Sequence, residues 1–231
     1  MPTILSIETS TRACSVSISK GHEIISVVEE VGDGYSHAEN LSVFIAKALA
    51  ESAMNYRDLN AVAISKGPGS YTGLRIGTST AKGLCYALDI PLISVPTLQA
   101  MAYGLTNGTN YTEDTLFCPM IDARRMEVYS AFFNSKNEFV RETQADIINE
   151  NSYIKYLLTS EVIFFGDGAE KCKEVLSTHQ NAKFISNFNP SAQYLNIIAN
   201  DKFKAQQIEN TAYFEPYYLK DFVAGKPRKI V

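Results

Sequence analysis

The sequence has little excess charge of either sign. Its 21 basic and 25 acidic residues are mixed along 231 positions and leave a formal net charge of -4. A protein that binds nucleic acid unaided usually concentrates Lys and Arg on one face or stripe. The composition therefore gives no reason to expect that this chain binds RNA or DNA by itself.

Long apolar runs and paired cysteines are also missing. No segment approaches the ~18 uninterrupted apolar residues of a transmembrane helix, and no basic leader precedes the first strand pattern at residues 3–7. No cysteine belongs to a CxxC pair, and all four lie far apart in the sequence: Cys14, Cys85, Cys118 and Cys172. They are expected to be reduced and mostly buried, in a cytoplasmic protein without a membrane segment.

Histidine is scarce, and its spacing excludes one class of metal site. The only histidines are His22, His37 and His179. No HxxxH or HExxH motif occurs, although two histidines at i and i+4 on a helix are the ligands of many zinc enzymes. A catalytic metal held by histidines is therefore not predicted, and a carboxylate site made of Glu8, Asp122 and Asp167 stays open as a minor alternative. No GxSxG motif for a nucleophilic serine is present either.

Segments with strand and helix periodicity alternate along the chain. Strands are predicted at residues 4–8, 16–18, 24–29, 61–64 and 92–95, and then at 117–122, 127–133, 162–165 and 184–185. Helices are predicted from Ser36 onward, with Glu39 completing a capping box, and at residues 71–88, 168–176 and 190–205. Such alternation predicts an α/β fold with sheets covered by helices.

The two halves of the chain begin in the same way. A stretch rich in Asn, Thr and Gly at residues 106–115 breaks all periodicity and divides the sequence into lobes 1–105 and 106–231. Each lobe opens with a strand that ends on an acid, Glu8 or Asp122, and turns back into a second strand. This repeat predicts two ribonuclease-H-like lobes, the layout of the actin, sugar-kinase and heat-shock ATPase superfamily, with mixed sheets flanked by helices.

A glycine-rich loop lies between a predicted strand and a predicted helix. Such a loop can hold a phosphate on backbone N–H groups at the N-terminus of the helix. However, Gly67 and Gly73 enclose five residues and are followed by Leu and Arg, whereas a P-loop encloses four and continues with Lys and Ser or Thr. A tight turn capped by Ser70 is therefore favoured over a phosphate site.

Turns at the ends of several predicted strands form a candidate vestigial nucleotide or anion site. Its members are Glu8, Thr9, Ser10, Gly67, Gly69, Ser70, Asp122, Arg124, Gly166, Asp167 and Gly168. The alternatives are an ordinary strand-to-helix turn, with Asp167 near the positive end of a helix, and hairpin arginines that are exposed or paired.

The helix that follows the glycine loop carries a stripe of small residues. Gly73, Gly77 and Ala81 recur every four positions and leave a flat surface that another backbone can approach. Glycine inside a helix costs about 1 kcal/mol relative to Ala, which favours a close contact at this stripe. A partner helix and packing on the chain's own sheet explain it equally well. A second small-residue stripe on the first helix, which includes Val43 and Ala46, favours the partner.

Three motifs are long enough to compare with a known family. They are Gly-Pro-Gly-Ser-Tyr-Thr-Gly-Leu-Arg-Ile-Gly at 67–77, Ile-Glu-Thr-Ser at 7–10 and Met-Ile-Asp-Ala-Arg-Arg at 120–125. They strongly resemble the TsaB family, also called YeaZ, over nearly the whole chain. His37-Ala38-Glu39 is similar to that family's His-Ser-Glu, with Ala38 as the departure, and residues 215–220 are similar to its C-terminal sequence.

The resemblance implies a non-catalytic subunit of the complex that transfers threonylcarbamoyl to the N6 amino group of adenosine 37 in transfer RNA. Such a subunit is the partner and scaffold of the catalytic subunit TsaD, is joined by the ATPase TsaE, and self-associates as a homodimer when alone. It would reach transfer RNA only through the complex. The first lobe is expected to form the partner interface, with His37, Glu39, Leu41, Val43, Ala46, Gly73, Gly77, Ala81 and Leu84.

Three points stay open at the level of the sequence. No cofactor is expected, but a nucleotide at a subunit interface remains an option. The alternative function is an ATP-dependent small-molecule kinase or ATPase of the same superfamily. Basic residues near the C-terminus are expected to form a solvated tail rather than a phosphate-binding patch: Lys220, Lys226, Arg228 and Lys229.

Overall fold

The computed structural model of the protein describes residues 1–32 and 37–220. Within them, a first five-stranded sheet consists of β1 (Thr3–Glu8), β2 (Ala13–Lys20), β3 (Glu23–Val31), β4 (Ala61–Ser65) and β5 (Leu92–Val95), in the order β3-β2-β1-β4-β5. A second consists of β6 (Leu116–Asp122), β7 (Glu127–Phe133), β8 (Phe139–Ile147), β9 (Val162–Phe165) and β10 (Ala182–Ile185), in the order β10-β9-β6-β7-β8.

The described helices are α1 (His37–Glu51), α2 (Tyr71–Leu88), α3 (Thr97–Thr106), α4 (Ile154–Leu157), α5 (Lys173–Leu176) and α6 (Asn196–Lys204). None of these described helices has both the length and the apolar content that a membrane crossing requires. The predicted N-cap Ser36 and three residues of the predicted basic tail lie outside the described residues: Lys226, Arg228 and Lys229.

The two sheets repeat one topology. β1 pairs antiparallel with β2 and parallel with β4, while β6 pairs antiparallel with β7 and parallel with β9. The flanking pairs also correspond, because β2–β3 and β7–β8 are antiparallel and β4–β5 and β9–β10 are parallel. The predicted α/β fold of mixed sheets flanked by helices is therefore confirmed.

The sequence does not predict β8 or α3, and it extends two helices too far. β8 is an edge strand whose side chains are half-buried or exposed, so no apolar run marks it. α3 follows β5 after a single residue, Pro96, so no polar turn separates strand from helix. The helices predicted at 168–176 and 190–205 begin as 3-10 turns, Glu170–Cys172 and Ala192–Leu195, before α5 and α6 start.

Helices cover both faces of the first sheet. α1 and α2 pack on one face, where Leu41 and Ile45 of α1 share a core with Leu5 of β1. Ile4 points to the opposite face, because successive side chains of a strand alternate. There it packs with Ala199 of α6.

α3 and α6 each pack on the sheet of the other half of the sequence. All of α3 except Thr106 belongs by sequence to residues 1–105, but the helix packs on β6 and β7. α6 belongs to residues 106–231 but packs on β1, β4 and β5. Each sheet is thus covered on one face by a helix from the other half of the sequence. The division between residues 105 and 106 stays a prediction, and these exchanged helices tie the two halves together.

α3 meets the 3-10 turn before α6 at a glycine that the packing requires. A Cβ atom at Gly104 would lie 2.5 Å from Cγ of the Tyr194 ring. Gly83 in α2 provides a contrast, because it is exposed and a Cβ there would meet no atom within 4 Å. The two helical glycines therefore differ in whether the fold itself needs them.

Gly104→Ala should destabilise the protein, because the added methyl group forces α3 and the Tyr194 ring apart. Overpacking of this kind typically lowers the free energy of unfolding by ~1–3 kcal/mol. Gly83→Ala is the matched control, and it should raise stability by up to ~1 kcal/mol through helix propensity alone. Urea unfolding of both variants measures the difference. Equal stability of the two would contradict the packing at Gly104.

Candidate functional site

The acid at the end of β1 is sealed inside the protein. Glu8 is 0% exposed. Its Oε1 atom accepts a hydrogen bond from the Ser10 backbone N–H at 2.6 Å, whereas Oε2 has no partner with hydrogen-bond geometry among the described residues. Burial raises the pKa of Glu8, and the surrounding polar groups of Ser10, Ser65 and Thr9 act in the opposite direction. Glu8 is therefore not accessible to a ligand in solvent.

The glycine loop is occupied by the chain itself. The backbone N–H of Ser70 donates to the carbonyl of Ser10 at 2.6 Å, and a Cβ at Gly69 would fall well inside contact distance of that same carbonyl. The N–H of Gly67 donates to Thr97 Oγ1 at 3.1 Å. These two loop amides are thus satisfied internally. Ser70 caps α2 by accepting from the Gly73 N–H at 3.2 Å, as the tight-turn interpretation predicts.

The turn after β6, which corresponds to the turn after β1 in the first sheet, is more open. The side chain of Asp122 is exposed at the end of β6, where its Oδ1 accepts the Arg124 N–H at 2.8 Å and pairs with the ammonium group of Lys171. Asp167 Oδ1 accepts the Asp122 backbone N–H at 3.1 Å. The structure therefore places Asp122, the Arg124 backbone and Asp167 side by side, and an anion site at these residues stays a prediction.

Gly166 and Gly168 serve packing in this turn. A Cβ at Gly166 would collide with the Met120 carbonyl, and one at Gly168 would lie 2.8 Å from the Ile121 carbonyl carbon. The turn after β9 is therefore pressed against β6. The sequence alternative, an ordinary strand-to-helix turn, describes these two glycines.

Asp167 links the turns of the two sheets electrostatically. The residue is exposed, but the protein packed around its carboxyl group disfavours the charged form and raises the pKa of Asp167. The negative charge of Asp122 also raises this pKa. The hydrogen bond from the Asp122 N–H and the positive charges of Lys171 and Arg12 lower it. Arg12 belongs to the β1–β2 turn, so the first turns of both lobes act on one carboxylate. Within residues 1–32 and 37–220, however, no group of His, Cys, Asp and Glu is arranged to hold a metal ion, so the carboxylate alternative is not supported there.

The small-residue stripe of α2 faces inward, which corrects part of the predicted partner interface. Thr9 Oγ1 donates to the Gly73 carbonyl at 2.8 Å, and a Cβ at Gly73 or Gly77 would collide with Thr9. At Gly77 it would also lie 3.1 Å from Ile64 Cδ1. Ala81 is fully buried as well. Packing on the chain's own sheet, one of the two sequence interpretations, thus describes this stripe.

The predicted interface residues of α1 divide between two faces. His37 and Leu41 are buried, and so do not present a surface. Glu39, Val43 and Ala46 are exposed. Leu84 of α2 is half-buried against the first core, so the interface prediction can apply only to the outward-facing part of the set.

The sequence missed two exposed residues on the outward face of α2, Gly83 and Tyr86. Tyr86 is 89% exposed, although it is a large aromatic side chain. Gly83 is exposed in a helix where no intramolecular contact requires a glycine. A glycine inside a helix is itself a sequence signal, but its meaning depends on which face of the helix points to solvent, and the sequence alone does not show that.

The C-terminal segment covers the glycine loop, which the sequence also does not predict. Tyr217 donates its backbone N–H to the Lys66 carbonyl at 2.7 Å, and its carbonyl would lie 2.7 Å from a Cβ at Gly67. The next residue, Tyr218, places its ring 4.9 Å from that of Tyr71. The glycine-rich loop is consequently covered by Tyr217 of the same chain.

Comparison with known proteins identifies the family. The family model described as "TsaD: tRNA N6-adenosine threonylcarbamoyltransferase" matches residues 34–227. An uncharacterised protein of Mycobacterium tuberculosis is 41% identical over 130 residues, which are 56% of this chain and 58% of that protein. The "tRNA threonylcarbamoyladenosine biosynthesis protein TsaB" of Escherichia coli is 30% identical over 234 residues, 96% of both chains. The chain belongs to the TsaB family.

The resemblance drawn from the sequence motifs is thereby confirmed. The structure of YeaZ from Pseudomonas aeruginosa superimposes on this TsaB-family chain with a TM-score of 0.79 at 24% identity, covering 95% of this chain and 100% of that one. At this identity the likeness shows the fold alone, and it agrees with the two repeated sheets. The chain spans just over half the length of the mycobacterial relative, 58%.

Glu8→Gln should stabilise the protein at neutral pH, because it removes a carboxyl group whose ionised form is disfavoured by burial. A raised folded-state pKa means that the folded state binds the proton more tightly, so stability falls as pH rises from about 4.5 through the folded value. In the variant this part of the pH dependence should disappear. Urea unfolding at a series of pH values measures it, with Glu142→Gln on exposed β8 as the control. A variant that keeps the full wild-type pH slope would contradict the assignment.

Proposed function

We propose that this TsaB-family chain is a non-catalytic subunit of the complex that transfers threonylcarbamoyl to the N6 amino group of adenosine in transfer RNA. It acts as partner and scaffold of a TsaD-type catalytic subunit, with a TsaE-type ATPase in the same complex. The observation that carries the proposal is the match along 96% of both chains to a relative named for this biosynthesis.

The state of the candidate anion site supports a partner role rather than ATP chemistry. A kinase or ATPase of this superfamily needs accessible acids and phosphate-binding turns from both lobes. In this chain Glu8 is buried, the Gly67 and Ser70 amides are bonded internally, and Tyr217 covers the loop. The first lobe therefore offers little to a nucleotide phosphate, which disfavours the small-molecule kinase alternative.

The histidines give no support to a catalytic metal. His37 lies buried with Nε2 3.2 Å from the Ala13 carbonyl oxygen. His22 is 3.5 Å from Asp201, and His179 Nε2 is 3.2 Å from a different backbone carbonyl, that of residue 150. Each histidine thus contacts a different part of the chain. We therefore assign the chain's role in the reaction to binding a partner rather than to holding a metal ion.

The outward face of α1 and α2 is the proposed interface with the catalytic subunit. Val43 is 59% exposed and Tyr86 is 89% exposed, and small residues lie on the same faces at Ala46 and Gly83. The two helices contact each other, and the proposed interface takes their outward faces together. Exposed apolar groups beside small residues suit close packing of a partner helix. The same face would support a homodimer when the catalytic subunit is absent.

Reconstitution tests the proposed function directly. The purified chain alone should not modify transfer RNA, whereas adding it to TsaD-type and TsaE-type subunits and a threonylcarbamoyl-adenylate source should allow modification. Incorporation of labelled threonine into a transfer RNA transcript measures the rate. If omission of the chain leaves the rate unchanged, the proposal is wrong. Micromolar ATP binding with turnover by the isolated chain would instead favour the ATPase alternative.

Gly83→Leu should weaken binding to the catalytic subunit and self-association, because it places a branched side chain where a partner helix packs. The expected loss is ~10-fold or more, which corresponds to about 1.4 kcal/mol. Its melting temperature should stay close to wild type, since the side chain enters solvent in the free chain. Analytical ultracentrifugation and thermal melts measure the two properties.

Gly77→Leu is the matched control on the inward face of the same helix. It should lower the free energy of unfolding by at least ~1–3 kcal/mol, because Thr9 and Ile64 occupy the space that the side chain needs. Unchanged association of the Gly83→Leu variant would remove this face of α2 from the interface.

A further inference from the structure

The turn between β6 and β7 carries two consecutive arginines in an unfavourable backbone conformation. Arg124 and Arg125 have φ values of 72° and 52°. Residues with a Cβ adopt this left-handed region rarely, and Asn-Gly is the pair that such hairpin turns favour. The turn is held by the bond from Arg124 N–H to Asp122 and by a Glu127 N–H that donates to the Arg124 carbonyl at 3.2 Å. The presence of arginine here therefore runs against the backbone preference.

Two acids at this turn form ion pairs with lysines. Asp122 forms an ion pair with Lys171, and Glu127 forms one with Lys220 of the C-terminal segment. Lys171 also donates to the Glu127 carbonyl at 2.6 Å, which fixes its position. Asp122 and Glu127 are thus paired with lysines rather than with the arginines of the turn. Asp167, which accepts the Asp122 N–H, has no lysine ion pair among the described residues.

A third arginine belongs to the same region. Arg12 lies in the turn between β1 and β2, the element of the first sheet that corresponds to the β6–β7 turn, and it acts electrostatically on Asp167 beside Asp122. Arg12, Arg124 and Arg125 are all exposed. In the described part of the chain, no hydrogen bond or ion pair engages their guanidinium groups. We call these three residues the arginine cluster.

We propose that the arginine cluster binds backbone phosphate groups of transfer RNA. The guanidinium group is planar, always charged, and presents a fork of N–H donors that matches a phosphate. This inference rests on the proposed function, because the complex is what brings transfer RNA to the chain. It gives the subunit a direct contact with the substrate RNA in place of the indirect one that the sequence implies.

RNA fits this cluster better than a free nucleotide. A nucleotide held between the lobes would need the glycine loop of the first lobe, whose Gly67 and Ser70 amides are occupied and which Tyr217 covers. The arginines lie instead on exposed turns, where an extended polyanion can reach them. The net charge of -4 predicts that the cluster is a local contact and that the isolated chain binds RNA weakly.

The double variant Arg124→Asn/Arg125→Gly separates binding from folding. It removes two charges and supplies the residues that the backbone conformation favours, so the melting temperature should stay the same or rise. Affinity of the complex for an unmodified transfer RNA transcript should fall ~10-fold, and the slope of log affinity against log salt should shrink by about one for each lost phosphate contact. Fluorescence anisotropy of a labelled transcript, titrated at several salt concentrations, measures both.

The matched control is Arg57→Gln/Lys183→Gln, which removes two positive charges far from the cluster. Arg57 precedes β4, at the other end of that strand from the glycine loop, and Lys183 lies in β10, at the far edge of the second sheet from β8. This control should leave affinity and salt slope close to wild type. Equal losses in the two double variants would overturn the proposal in favour of a general charge effect.

Two further outcomes overturn the inference. They are an unchanged transcript affinity for Arg124→Asn/Arg125→Gly, and a loss confined to ATP binding in a parallel titration. The isolated chain is titrated beside the complex, so the arginine cluster is tested even if no complex forms. Failure to assemble with a TsaD-type subunit would count against the proposed function, whereas normal assembly with unchanged RNA affinity would count against the cluster alone.

Discussion

The contact between the turn at Thr9–Ser10 and α2 determines the arrangement of the first lobe. The two segments approach so closely that Gly69, Gly73 and Gly77 have no room for a Cβ. This approach fills the loop that a phosphate would need and turns the opposite side of α2 to solvent. One packing constraint thereby removes the anion site from the first lobe and exposes the face proposed to bind a partner.

The two repeated sheets carry an acid at the same position but with different exposure to solvent, and the chemistry of the two acids differs accordingly. Glu8 and Asp122 both end the first strand of a sheet, but Glu8 is sealed and its pKa is raised, whereas Asp122 is exposed and paired with Lys171. Topology therefore conserves the position of an acid without conserving what it can do. The difference follows from what covers each turn, since the glycine loop and the C-terminal segment close only the first.

Sequence periodicity predicted the elements better than it predicted their orientation. The bounds of α2 and of the second opening hairpin follow from the pattern of apolar residues, because local spacing determines them. In the first hairpin, β2 is longer than the predicted residues 16–18 and spans Ala13–Lys20. The stripe at Gly73 and Gly77 was identified, but a stripe marks a face without indicating which side it packs against. The burial of Glu8 and the cover provided by Tyr217 depend on contacts between residues far apart in sequence. No local pattern reports such contacts.

The C-terminal segment contacts both of the regions that we propose to bind macromolecules. Tyr218 packs on Tyr71 at the start of α2, and Lys220 reaches across to Glu127 beside the arginine cluster. The segment that closes the glycine loop therefore also neutralises an acid that would otherwise weaken phosphate binding by Arg124. The proposed protein-binding face belongs to the outer helices of the first sheet, whereas two of the three arginines belong to the second. The proposed protein-binding face and the arginine cluster therefore use different residues, and neither proposal excludes the other.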